Sequence, residues 1–347
     1  MKRIIIVLLL TVFSSSLASA VEQTSSDNYI IEQPSFSGGS NTSDSDNFST
    51  RGTVGDTSDL GLESDNYSLD ATEAASRQAD VLPKPTLEND NDYFDRLRIT
   101  IDEQDNPSDT KYAIAISKDN FSTFSYVQQD LTIGSSLSSE DWLIFAELGE
   151  ADGELIIGLD ENTSYKVRVA AFHGDFSTTR YSATSDEATT SSSYLRLSSD
   201  KESCSLGTLT ELATATCNYN LSFSSNYYGG LKITTSGSTL TSGGNKIEAI
   251  GSTAVASQTG IEQFGFNAKA NSNPAVGQEP VGSNITINNP FTTKDLFAFS
   301  ENIEQDTLTT DSITATSTST ISIIVNAASD TEPGSYQTTI THTIYAN

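Results

Sequence analysis

Cysteine, histidine, tryptophan and methionine are almost missing from this chain: two, two, one and one in 347 residues. A structural zinc site gathers four Cys or His ligands at close spacing, and Cys204 and Cys217 have no histidine near them in sequence. That pair does not read as a zinc site. Nor does the chain hold a Gly-x-Ser-x-Gly elbow, a His-Glu-x-x-His pair, a phosphate-cradling glycine loop or a dinucleotide fingerprint. His173, just before Gly174, reads as a strand-end residue, and His342, among alternating threonines, as a hydrogen-bonded strand residue. Basic residues are scarce as well: 18 Lys and Arg stand against 46 Asp and Glu, for a formal charge of −28. Such a chain repels polyanions, which disfavours nucleic acid and anionic lipid as partners, and no nucleic-acid partner is expected.

Long apolar runs are absent except at the start. Lys2-Arg3, an apolar run over residues 4–13 and the small-residue stretch ending Ala18-Ser19-Ala20 form a secretory signal peptide, residues 1–20. The apolar run is half of the roughly 20 residues that span a bilayer. No cysteine follows the cleavage site to carry a lipid, and no later segment is apolar enough to span. The expected location is outside the cell or on its surface, with no integral membrane segment after cleavage.

Serine and threonine are plentiful, and no stretch keeps a helical period of apolar residues. The expected fold class is all-β, as tandem β-sandwiches behind a repeat-containing N-terminal region. Residues 21–80 repeat: Ser26-Asp27-Asn28-Tyr29, Ser45-Asp46-Asn47-Phe48 and Ser64-Asp65-Asn66-Tyr67 recur every 19 residues. Two readings stand side by side, an array of small hairpins or β-arches and an acidic low-complexity spacer. The recurrence resembles short repeats near the start of other exported bacterial proteins.

A linker is expected at residues 81–95, where Pro83 and Pro85 force extended backbone. Its acidic run, residues 88–95, resembles the Asn-Asp-Asn stretches that hold calcium between cadherin domains. The resemblance implies calcium on Asp90, Asp92 and Asp95, since that ion takes six to eight oxygen ligands. A solvated turn is the plainer reading of the same residues.

Residues 96–190 alternate apolar and polar in short runs: Leu97, Ile99 and Ile101, then Tyr112, Ile114 and Ile116, with a turn at Asn106-Pro107-Ser108-Asp109 between them. Strands are also expected over residues 121–127, 142–148 and 180–190. In residues 165–171, Tyr165, Val167, Val169 and Ala171 share one face and Lys166 and Arg168 the other. The Asn-Pro-x-x-Thr-x-Tyr-Ala-Ile-x-Ile-Ser string, with Leu159, Thr163 and Tyr165 set as Leu-x-x-x-Thr-x-Tyr, resembles the fibronectin type III domains of bacterial exported proteins. That resemblance implies a sandwich of about seven strands with a tyrosine corner. Many such domains carry a Trp on an early core strand; here Ile101 lies near that place and the sole Trp is Trp142.

Residues 191–347 read as a second, immunoglobulin-like sandwich. Cys217, Tyr219, Leu221 and Phe223 alternate on one face, and Tyr336, Thr338, Ile340, His342 and Ile344 do so near the end. The Ser-Leu-Gly-Thr-Leu opening and Pro-Gly-x-Tyr closing strand resemble sandwiches of bacterial surface proteins, including the WxL group, although the Trp-x-Leu motifs are missing. Cys204 and Cys217, an even pair in an exported chain, are expected to form a disulfide; a disulfide early in a sandwich is similar to that of chaperone–usher pilins. The expected function is non-catalytic: a secreted or surface modular protein that binds a glycan, an envelope component or another protein. A structural subunit of a surface layer or filament and a polysaccharide-active enzyme are the alternatives, the latter because two carboxylates across a cleft suffice for glycoside hydrolysis.

Overall fold

The structure, a computed structural model, describes residues 79–174 and 178–347 in full and, before residue 79, the backbone of six short strands. The signal peptide lies outside the described residues. Two compact units divide the chain: one holds residues 1–82, 103–112 and 170–182, the other residues 83–102, 113–169 and 183–347.

In the first unit the six strands form three antiparallel hairpins, and each hairpin turns at one copy of the repeat. Thr24–Ser26 pairs with Tyr29–Ile31, Ser40–Ser45 with Phe48–Thr53, and Leu62–Ser64 with Tyr67–Leu69. In each, the repeat's Ser is the ladder partner of its aromatic residue: Ser26 with Tyr29, Ser45 with Phe48 and Ser64 with Tyr67. Further along this unit, Asp80 N donates to Asn106 Oδ1 at 2.7 Å, and Thr110 N donates to Pro107 O at 2.9 Å, closing the turn expected there.

The second unit carries two pairs of sheets. The first pair uses β1 (Thr86–Glu88), β2 (Arg96–Thr100), β3 (Lys111–Ser117), β4 (Ser125–Val127), β5 (Ile133–Gly134), β6 (Leu143–Ile144), β7 (Glu154–Ile157), β8 (Ser164–Phe172) and β9 (Ala188–Thr189). One sheet runs β7-β2-β1 and the other β5-β4-β3-β8-β9, with β6 paired to β3. Leu97, Ile99, Ile114, Ile116, Val167 and Val169 are 0–2% exposed. Alternation on facing strands thus builds the interior, as the two-residue period requires.

Several expectations shift here. The segment expected as a linker contains β1, because Leu87 is buried between exposed Thr86 and Glu88 and pairs with Ile99. Residues 142–148 hold only the two-residue β6 before a 3₁₀ turn, Phe145–Leu148, which ends at Gly149 in the left-handed region. Within residues 180–190 the assigned strand is the two-residue β9; Ser185 donates its N–H to Val167 O at 3.0 Å and accepts from Val167 N through its hydroxyl.

The second pair uses β10 (Leu195–Ser199), β11 (Ala215–Ser225), β12 (Leu231–Gly237), β13 (Gly251–Ala256), β14 (Gln263–Asn267), β15 (Thr286–Ile287), β16 (Leu296–Phe299), β17 (Gln305–Thr309), β18 (Thr314–Asn326) and β19 (Ile340–Ala346). A six-stranded sheet, β10-β11-β18-β14-β16-β13, faces a four-stranded one, β15-β17-β12-β19. Their shared core contains Phe223, Ile233, Phe264, Phe266, Phe299 and Ile321. Four of its rings interlock: Phe264 meets Phe299 edge-on at 5.1 Å, and Phe266 stacks on Phe291 at 4.3 Å. The fold is all-β, built from antiparallel sheets packed face to face.

Candidate functional site

The acidic run folds into the seam between the two sheet pairs. Asn89 closes its own loop, accepting from Tyr93 N at 2.7 Å and donating to Tyr93 O at 2.8 Å. The same amide reaches Thr189 O at 3.1 Å. Ser191 N then donates to Tyr93 O at 2.8 Å, and Ser191 Oγ donates to Asp92 Oδ1. Asn226, wholly buried, donates to Asp92 O at 3.0 Å and Ser192 O at 2.8 Å and accepts from Tyr194 N at 2.8 Å. Rings fill the remainder: Phe94 lies 4.7 Å from Tyr227, and the Arg96 guanidinium sits 4.3 Å over Tyr228. None of Asn226, Tyr227 or Tyr228 stood out in the sequence, since a seam partner carries no local period.

Asp90, Asp92 and Asp95, the acids implied as calcium ligands, each take a separate protein partner. Asp90 pairs with Arg98 at 2.7 Å, Asp95 with Arg96 at 2.8 Å, and Asp92 accepts from Ser191. Among the described residues no group of three or more His, Cys, Asp or Glu is gathered for a metal ion. The hydrogen bond that Arg98 donates to Asp90 raises the Arg98 pKa.

Leu159 and Tyr165 are buried where β8 begins, and Asp160 N donates to the Tyr165 hydroxyl at 2.9 Å. Thr163, beside them, donates its N–H to Thr190 Oγ1 at 3.0 Å and its hydroxyl to Glu161 O at 2.9 Å. The three residues therefore tie the entry of β8 to the segment leaving β9.

In the C-terminal sandwich a cleft of about 1180 Å³ opens between residues 201–211 and residues 327–339, with Leu206, Leu209, Leu240, Phe264, Ile323 and Ile340 among its walls. Leu240 and Phe264 are 3% and 2% exposed, so its floor is the core itself. Cys204 and Cys217 form the expected disulfide, with Cα atoms 6.0 Å apart. This bond ties one wall to β11. Cys204, Leu206 and Leu209 pack against the core, yet the backbone of residues 202–209 makes no hydrogen bond among the described residues. The wall is strand-like in packing and has no sheet partner. Across from it, β19 is the outermost strand of its sheet.

Two polar groups face this cleft from below. Tyr219 Oη lies 2.6 Å from His342 Nε2, Thr235 Oγ1 lies 2.8 Å from His342 Nδ1, and Thr235 Oγ1 lies 2.6 Å from Thr307 Oγ1. Both imidazole nitrogens are thus occupied by hydroxyl partners. Burial pushes the His342 pKa down to about 4 and the Tyr219 pKa up, so at neutral pH both are uncharged. His173, the other histidine, lies 3.1 Å from Asp109 in the first unit.

No family model matches the chain, and no curated protein matches it. Among solved structures, titin kinase with its flanking domains is 13% identical over 44% of this chain and 31% of that one, at a TM-score of 0.22. Chitinase ChiA74 from Bacillus thuringiensis is 10% identical over 75% of this chain and 29% of that one, at 0.16. The CsuC-CsuE chaperone–tip adhesion subunit pre-assembly complex, from archaic chaperone-usher Csu pili of Acinetobacter baumannii, is 11% identical over 68% and 85%, at 0.19. The chain spans less than a third of the first two. Overlaps this small carry no argument about function.

Proposed function

We propose that this is an exported, non-catalytic protein that works by contact, and that its C-terminal cleft receives an extended polypeptide segment. The cleft supports this reading more than any other feature. Its floor is formed by core residues Leu240 and Phe264, beside a wall, residues 202–209, whose backbone groups have no partner among the described residues. Strand addition supplies both needs at once: main-chain hydrogen bonds for the wall and alternate apolar side chains for the floor. The two packed antiparallel sheets and the Tyr165 hydrogen bond support a fibronectin type III-like first domain.

An array of extended peptides probed with mature protein tests the reading. Peptides with apolar residues at alternate positions bind, and Leu209→Arg or Ile340→Arg, each placing a cation in the cleft, abolishes binding. Capture that survives both substitutions overturns it. The open edge of β19 favours a second reading, a self-assembling structural subunit; light scattering of purified protein that grows with concentration, blocked by Ile340→Arg, selects that one. Turnover of a glycan, lost on substitution of one carboxylate, makes the protein a polysaccharide-active enzyme instead.

A further inference from the structure

On the outward face of the first sandwich, away from the cleft, three rings stand in a row. Val127 of β4 is 1% exposed in the core, so its neighbour Tyr126 points the other way. Phe124 packs edge-on to Tyr126 at 5.5 Å, and Phe121 follows at 6.2 Å. On β8, Lys166 and Arg168 alternate with the core residues Tyr165, Val167 and Val169 and so share this outward face. The Arg168 guanidinium lies 4.1 Å over the Phe121 ring, and its Nε donates to Thr184 Oγ1 at 2.7 Å. Lys166 reaches Asn120 Oδ1 at 3.3 Å and Glu187 at 3.7 Å.

The turn that presents these rings is unusual. Phe121 has φ 66°, in the left-handed region that bulky residues avoid. Ser117 Oγ accepts from Phe121 N at 2.8 Å, and Asp119 accepts from Thr123 N at 2.9 Å, which holds the turn in place. The outcome leaves Phe124 46% exposed.

We propose that this row is a saccharide-binding surface for a neutral polysaccharide chain. Ring faces offer a surface for the apolar C–H faces of hexoses, and a planar guanidinium beside them donates to hydroxyl groups. Arg168 has no carboxylate within ion-pair distance among the described residues, so its remaining donors are available. Charge and area select the occupant. A protein of net charge −28 disfavours a polyanionic glycan. A stable protein interface covers about 800 Å² per partner. Three rings of roughly 200 Å² each, with Phe124 46% exposed and Phe121 and Tyr126 partly buried, fall well short. A narrow neutral chain fits what is left.

This surface is separate from the cleft, so Phe124→Ala leaves peptide capture intact and Leu209→Arg leaves saccharide binding intact. Isothermal titration of mature protein with cellohexaose, chitohexaose and polygalacturonate is the test. Binding is expected to one or both neutral hexasaccharides. Phe124→Ala weakens it about tenfold, the loss of one stacked ring. Arg168→Lys, which keeps the charge but loses the planar fork, weakens it with no change in unfolding midpoint. Failure of both neutral probes, binding of polygalacturonate alone, or unchanged affinity in Phe124→Ala overturns the proposal.

Discussion

Removing the Asn226 carboxamide should loosen the seam by more than any surface change. Asn226 satisfies three backbone groups, the carbonyls of Asp92 and Ser192 and the N–H of Tyr194, and is 0% exposed. Each such hydrogen bond contributes about 1 kcal/mol net. Asn226→Ala is therefore expected to cost about 3 kcal/mol, a shift of about 1 M in urea midpoint for a chain whose m-value is about 3 kcal/mol per M. Asn226→Asp preserves the shape but turns a carboxylate toward two carbonyl oxygens, and should cost more than the alanine variant. Urea unfolding followed by circular dichroism, alongside Trp142 fluorescence from the first sandwich, measures both. An alanine variant within about 0.5 kcal/mol of the parent, the range of ordinary surface substitutions, or an Asp variant milder than Ala, refutes the reasoning.

Other outcomes follow from single contacts. Tyr165→Phe keeps the buried ring but leaves Asp160 N without its acceptor, costing about 1 kcal/mol in urea unfolding. His342 is held neutral with a pKa of about 4, while in the unfolded chain it takes a proton near its ordinary 6.5. The unfolded state thus binds more protons between those values, so stability is complete above about pH 6.5 and falls by on the order of 3 kcal/mol as pH drops toward 4. Urea midpoints across that range should slope in the parent and flatten in His342→Phe. Replacing Cys204 and Cys217 by serine frees a loop of 13-residue separation and should lower stability by about 3 kcal/mol, with the thermal midpoint as readout. Because Asp90 and Asp95 already hold arginines, calcium and chelator should give the same thermal midpoint; a rise with calcium would restore the ion to Asp90, Asp92 and Asp95.

Alternation made the interior legible in the sequence. Val167, Leu221 and Phe223 are buried because a strand with one wet face has no other place for them, and Tyr112, Ile114 and Ile116 are buried on a strand whose other face, Ala113 and Ala115, is covered as well. The disulfide was equally legible from an even pair of cysteines. What lay hidden depends on neighbours distant in the chain. The acidic run reads locally as a cation site, yet its carboxylates are satisfied by Arg96, Arg98 and Ser191, and no pattern in residues 88–95 announces Ser191. The cleft was hidden for a related reason: residues 202–209 have strand-like apolar spacing at Cys204 and Leu206, and only the register of other strands decides that they go unpaired.

The bond between Cys204 and Cys217 also dates the protein's competence. One bank of the hollow is moored to the large sheet through that sulfur bridge, and glutathione-poised surroundings keep thiols apart. In reducing surroundings that mooring would be lost. Only where the bridge can form does the hollow keep both its banks.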